Sequence, residues 1–244
     1  MGVQSATLEL RFILEKLRNR LSVPSKLEGT AWNPKVMDLP PGDRFLVVCP
    51  HPDDDAVGCG GTIVKLVEAG KAVRVVYLSI QEGNFTREDR RAEIERSLTY
   101  LGVRDVFLRE EDFPTSREAA QIVRSEVEEY APDTVLLPSP FENHDQHLRT
   151  FEAYAEAVRG RSVDPDVAMY EVWGTLMPNL LIPVSGVMER KLQAIREHAT
   201  QCADIDYVRL IRGMNEYRAA ASGLEGYAEA FMHMPSSTLV RLFS

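Results

Sequence analysis

Phe45-Leu46-Val47-Val48-Cys49 runs directly into Pro50-His51-Pro52-Asp53-Asp54-Asp55 and then, past Ala56 and Val57, into Gly58-Cys59-Gly60-Gly61-Thr62. The first five residues are apolar without alternation, the pattern of a strand covered on both faces, as in a parallel sheet. Loops at the carboxyl ends of such strands line the crevice where open α/β sheets bind ligands, so an imidazole and three carboxylates are delivered to a functional edge. Adjacent carboxylates repel unless a cation or strong hydrogen bonds offset them, and a histidine beside them completes a donor set suited to zinc. A solvated acidic turn whose histidine caps a neighbour is the other reading of the hexapeptide. Gly58 and Gly60 sit where a dinucleotide fingerprint would begin, but the third glycine position is Ile63, and acids crowd the place of a pyrophosphate. The glycines are therefore expected to let the backbone turn closely around the site.

Outward from this stretch, apolar runs alternate with amphipathic segments. Strands are predicted at Ala72–Ser79, Asp105–Leu108, Thr134–Leu137 and Val167–Val172. Helices are predicted at Gly61–Ala69, Thr86–Leu101 and Ser116–Tyr130, after His147, and at Val187–Thr200, with Thr86 as an N-cap and Gly70 and Gly102 as stops. The alternation predicts an α/β fold, a doubly wound, mostly parallel sheet with flanking helices in a single domain. That domain is assigned to residues 44–244. Residues 1–43 read as a helix over Leu8–Leu21 followed by a Pro- and Gly-rich arm, and the C-terminal third reads as more irregular.

A second cluster lies after the strand Thr134–Leu137, in Pro140-Phe141-Glu142-Asn143-His144-Asp145-Gln146-His147. At i, i+3 spacing His144 and His147 can share one helix face. A catalytic zinc typically takes three protein ligands and leaves a position for water, which these two motifs together can supply. Two surface histidines capping a helix is the competing reading. His198 and His233 lie outside either cluster and are expected to be structural or peripheral, satisfied by local hydrogen bonds rather than bound to metal.

The 244 residues hold 28 Lys and Arg against 37 Asp and Glu, a formal charge of -9 that argues against nucleic acid as a partner. No apolar run approaches the ~20 residues that span a bilayer, and Met1–Glu9 lacks the order of a secretory signal, so a cytoplasmic protein is expected. Cys49, Cys59 and Cys202 are odd in number and unsuitably spaced for a disulfide framework or a C-x-x-C site, and are read as packing. The apolar stretch Met177–Val184 and the arm suggest a homo-oligomer.

The two motifs resemble those of the PIG-L/LmbE-like de-N-acetylases, which carry A/P-H-P-D-D-E/D at a strand end, a later H-x-x-H and a Rossmann-like fold. Ser79-Ile80-Gln81-Glu82-Gly83, Arg90-Arg91-Ala92-Glu93, Lys191–Gln201 and Tyr227–Phe231 are similar to further family segments, so the resemblance runs from about Phe45 to Phe231. It implies that His51, Asp54 and His147 hold Zn2+, with another divalent metal able to substitute, and that Asp53 is the general base toward a zinc-activated water. It implies that His144, as imidazolium, stabilises the oxyanion and helps protonate the departing amine, and that Arg90 binds substrate. A surface helix arginine is the other reading of Arg90. Where the family often has Asp before the second histidine this chain has Gln146, with Asp145 the nearest carboxylate that could replace it. Leu181-Ile182-Pro183 also departs from a commonly acidic position. The implied function is de-N-acetylation of an N-acetylglucosamine-type sugar or its conjugate. Two rivals stand beside it: an amidase acting on another N-acylated small molecule or thiol conjugate, and a non-catalytic sugar-binding member. Glu82–Thr86, Phe113–Ser116 and Trp173–Pro183 are the loops expected to select substrate.

Overall fold

The computed structural model describes residues 34–80, 85–161, 163–203 and 205–243. The predicted helix Leu8–Leu21 and most of the arm lie outside them. From Pro34 onward the chain forms one compact unit. The elements in order are β1 (Lys35–Val36), β2 (Arg44–Cys49), α1 (Asp54–Glu68), β3 (Ala72–Tyr77), α2 (Arg87–Leu101), β4 (Asp105–Leu108), α3 (Ser116–Tyr130), β5 (Thr134–Pro138), α4 (Asp145–Val158), β6 (Asp166–Tyr170), β7 (Leu180–Pro183), α5 (Met188–Glu197), α6 (Ala199–Cys202), α7 (Tyr207–Ala220), β8 (Ala228–Pro235) and α8 (Ser236–Phe243).

The eight strands form one sheet in the order β1-β7-β8-β6-β5-β2-β3-β4. Every pairing is parallel except those of β8, which runs antiparallel to both β6 and β7. Alternate residues of each central strand feed opposite layers. Phe45, Val47 and Cys49 pack with Val75, Tyr77 and Tyr170 against α1, α2 and α5, through Ile63, Leu66, Leu98 and Leu192. Leu46 and Val48 pack with Val135, Leu137 and Met169 against α3, α4 and α8, through Val123, Tyr154 and Leu239. Burial on both faces is why these strands read as unbroken apolar runs.

Local chemistry sets the helix ends that the sequence predicted well. Thr86 and Thr115 each close a capping box, with Asp89 and Glu118, and Gly102 ends α2 in the left-handed region at φ 80. Two expectations need correction. First, α1 begins at Asp54 rather than Gly61, with Cys59 out of helical geometry at φ -142, ψ 22. The glycines serve close packing instead of a turn: a Cβ on Gly58 would lie 2.2 Å from the Tyr170 ring, and one on Gly61 2.7 Å from Val184. Second, the C-terminal third contains β8, which an internal Glu229 disguised. The apolar stretch Met177–Val184 includes β7, whose Leu180, Leu181 and Ile182 are buried in the sheet, while Met177 is 50% exposed.

The kink in α1 leaves backbone amides at the start of its second half without intrahelical acceptors. Glu229, reaching in from β8, accepts from Gly61 N at 2.8 Å, Thr62 N at 2.7 Å and Thr62 Oγ1 at 2.6 Å. Lys191 Nζ of α5 donates to the same carboxylate at 2.6 Å, and neither side chain is exposed. A distant strand thereby caps the helix whose first residue enters the site.

Candidate metal centre

After β4 the chain crosses back to place β5 on the other side of β2, so the strand order reverses between β2 and β5. Both histidine motifs follow these two strands, at the position where doubly wound sheets bind ligands. The Pro50 carbonyl is pinned by Ser79 Oγ from beyond β3, at 2.8 Å. His51 then reaches the site from the loop, Asp53 precedes α1, and Asp54 opens it. His144 and His147 enter at the N-terminus of α4.

The three imidazoles converge. Their ring centroids are 5.0 Å (His51–His144), 5.3 Å (His51–His147) and 4.9 Å (His144–His147) apart. Each offers a nitrogen within 4.8 Å of the others, the group of described residues that could hold a metal ion. The Asp54 carboxylate lies between two of them, with Oδ2 3.3 Å from His51 Nδ1 and Oδ1 3.3 Å from His147 Nε2. His51, Asp54 and His147 are only 6%, 2% and 1% exposed, while His144 is half-buried. Buried imidazole nitrogens and a carboxylate facing one another fit a zinc-type ion.

The three adjacent acids have separated into different environments. For Asp54 burial alone would raise the carboxyl, but the His147 charge and the bonds from His51 outweigh it and hold the group low. For Asp53 burial, reinforced by the Asp54 charge, raises the carboxyl against the pull of Arg90, His51 and His147. Asp55 turns inward to accept from Tyr77 Oη at 2.7 Å, and burial pushes it up to about 7. Neighbouring carboxyls pushed in opposite directions are the usual mark of divided acid–base roles.

Several predicted details turn out differently. Arg90 is no surface arginine: it is 1% exposed, and its Nη1 donates to Glu93 Oε2 at 2.9 Å and Thr200 Oγ1 at 3.0 Å. Its Nε and Nη2 have no partner among the described residues, and its charge bears on Asp53. Gln146 Oε1 meets His51 Nε2, so the amide supports the first motif's histidine rather than His144. Asp145 does not take that place either; it is exposed and lies 3.7 Å from Arg149. Burial, with His51 and His147 nearby, keeps His144 below the ordinary histidine value. His198 was expected to find local hydrogen bonds, yet neither ring nitrogen has a partner among the described residues. Burial, with Arg90 adding to it, pushes that imidazole down to about 3. His233 is peripheral as expected, 3.2 Å from Asp166. Cys49 and Cys59 are buried packing thiols.

Two buried carboxylates escaped the sequence reading. Glu142 lies 3.3 Å from His147 Nδ1, opposite the nitrogen facing Asp54, and accepts from Val172 N and Trp173 N at 2.9 Å each. Outer carboxylates of this kind fix the tautomer and orientation of a metal-binding imidazole. Glu171 accepts from Leu176 N at 2.7 Å and from Arg218 Nε at 3.0 Å. The one available signal for Glu142 was an acid within the second histidine motif; nothing local marked Glu171.

Residues 46–158 match the family model described as PIG-L, GlcNAc-PI de-N-acetylase. The chain is 32% identical over 188 residues to a diacetylchitobiose deacetylase of Thermococcus kodakarensis, covering 65% of this chain and 70% of that protein. It is 28% identical over 185 residues to a probable N-acetyl-alpha-D-glucosaminyl L-malate deacetylase 2 of Bacillus anthracis, covering 66% of this chain and 82% of the relative. The structure of N,N'-diacetylchitobiose deacetylase from Pyrococcus horikoshii superposes with a TM-score of 0.70 at 27% identity, over 81% of this chain and 86% of that one. With both motifs converging at the switch point of the same fold, the chain belongs to the PIG-L family of de-N-acetylases.

Proposed function

We propose that this chain is a zinc-dependent N-deacetylase that hydrolyses the acetamido group of an N-acetylglucosamine-type sugar or its conjugate. His51, Asp54 and His147 would hold the ion. The observation that carries this reading is the Asp54 carboxylate between two buried imidazoles, with a second carboxylate, Asp53, next to it and pushed the other way. When bound, the ion supplies Lewis acidity that lowers a water's pKa and polarises the acyl oxygen. Asp53 takes the proton from that water as it adds to the amide carbon. His144, the more exposed imidazole, hydrogen-bonds the developing oxyanion on the substrate. Asp53 then returns its proton to the departing nitrogen, so that amide and water become acetate and free amine. Glu142 and Gln146 hold the His147 and His51 rings in place, and Arg90 orients substrate from beside Asp53.

The substrate class rests on the sugar deacetylases to which the chain is similar. A cytoplasmic setting belongs to the same proposal and suits three free cysteines. The test is metal content and amine release from N-acetylated glucosamine compounds in one preparation, wild type beside Asp53→Ala. The variant should keep stoichiometric metal and lose activity by at least about 100-fold, the usual contribution of a general base. Metal without cleavage of any acylated sugar would remove the substrate assignment, and failure to bind a divalent ion after reconstitution would remove the mechanism. Light scattering on the same sample tests the expected self-association.

A further inference from the structure

The segment after β6 is built more rigidly than a connecting loop requires. Glu142 holds two of its amides, at Val172 and Trp173, and Glu171 holds the Leu176 amide. Arg218 clasps Glu171 and also donates to the Leu176 carbonyl at 2.9 Å. At Gly174 a Cβ would lie 2.1 Å from the Phe141 carbonyl oxygen, so this segment presses directly on the second histidine motif. Glu171, Val172 and Leu176 are buried, yet Trp173 between them is 37% exposed.

The Trp173 ring is not loose. Its centroid lies 5.4 Å from that of Tyr207, which is itself buried. Burial raises the Tyr207 hydroxyl, and the Asp53 and Asp54 charges act in the same direction. The Trp173 amide is one carboxylate away from His147, through Glu142. An indole partly exposed, tilted 59° against a buried tyrosine and tied through its own amide to the carboxylate that contacts His147, offers apolar surface beside hydrogen-bonding groups. A pyranose ring carries the matching surface, an apolar C–H face bordered by hydroxyls.

We propose that Trp173, backed by Tyr207, is the stacking platform for the sugar ring of the substrate, and that it makes the site selective for N-acylated pyranoses over acyclic N-acyl compounds. The inference rests on the deacetylase reading above and deepens it. The chain has two tryptophans, so Trp32→Phe leaves Trp173 as the sole indole reporter. In that full-length, metal-loaded protein with Asp53→Ala added to prevent turnover, the methyl glycoside of N-acetylglucosamine should shift Trp173 emission saturably, whereas N-acetylethanolamine should not. In the otherwise wild-type enzyme, Trp173→Ala should raise KM for the glycoside roughly 5- to 10-fold, as loss of an aromatic contact does, with kcat changing far less. Trp173→Phe should recover most of that loss, which a variant damaged only in folding would not do. The ratio of kcat/KM for the glycoside to that for N-acetylethanolamine should fall in Trp173→Ala. If the wild-type enzyme cleaves the glycoside but the ratio is the same in Trp173→Ala, the platform is refuted while the deacetylase reading stands. If the metal-loaded wild type cleaves no acylated sugar and none perturbs Trp173, both fall together.

Discussion

Replacing Lys191 by methionine removes an ammonium that donates to Glu229 at 2.6 Å in a place with no solvent exposure. Methionine fills nearly the same volume, so little cavity results and the effect is mainly electrostatic. Breaking a buried ion pair from one side costs about 3–5 kcal/mol, because the remaining charge is left unneutralised. Glu229 keeps three other donors, Gly61 N, Thr62 N and Thr62 Oγ1, so the lower end of that range is expected. In a domain of this size ~3 kcal/mol corresponds to a fall in Tm of about 6–12 °C. Urea denaturation followed by circular dichroism, with chelator in both samples so that bound metal adds no stability, reads the difference directly. Since Glu229 caps the second half of α1 and Asp54 opens its first half, the variant should also bind metal more weakly. Lys191→Met within ~1 kcal/mol of wild type would refute the view that this pair anchors the helix beneath the site.

Gly58→Ala should destabilise by about 1–3 kcal/mol despite alanine's better helix propensity, since its methyl would lie 2.2 Å from the Tyr170 ring; a thermal melt decides. Glu142→Gln should lower metal affinity about 10- to 100-fold by competition with a chelating dye, with the fold retained, because the carboxylate beside His147 Nδ1 becomes an amide. For His198 the folded value near 3 lies below the ordinary 6.5, so its neutral form is the one that folding favours. Its contribution is fully present above pH 6.5 and is lost at about 1.4 kcal/mol per pH unit as pH falls from there toward 3. Wild type should therefore lose about 2 kcal/mol more than His198→Leu between pH 6.5 and 5, and parallel stability profiles for the two would exclude it.

Strands β2 to β6 and most helix ends were legible because each depends on local chemistry. A strand buried on both faces must be apolar throughout, as Phe45–Cys49 and Thr134–Leu137 are, and a capping threonine such as Thr86 acts within one turn. The metal centre was legible for a related reason: both motifs stand at strand ends, and parallel topology brings such ends to one edge. Charged residues whose burial depends on remote partners were not legible. Glu229 hid β8 because a carboxylate in a strand reads as a surface residue until Lys191 and the amides of α1, 168 positions away for Gly61, are seen to hold it. For Arg90 the sequence left a surface arginine standing beside a substrate contact, because the burial that excludes the surface reading depends on Thr200, 110 positions distant. The separation of Asp53, Asp54 and Asp55 into different environments, and the turning of Gln146 to His51, were likewise decided in three dimensions. Sequence alone thus determined the layers and the edge where chemistry collects, since hydrophobic burial and capping act over a few residues. Tertiary structure decided which buried charges face one another, because the free energy of a charge removed from water depends on what long-range packing brings within a few ångströms of it.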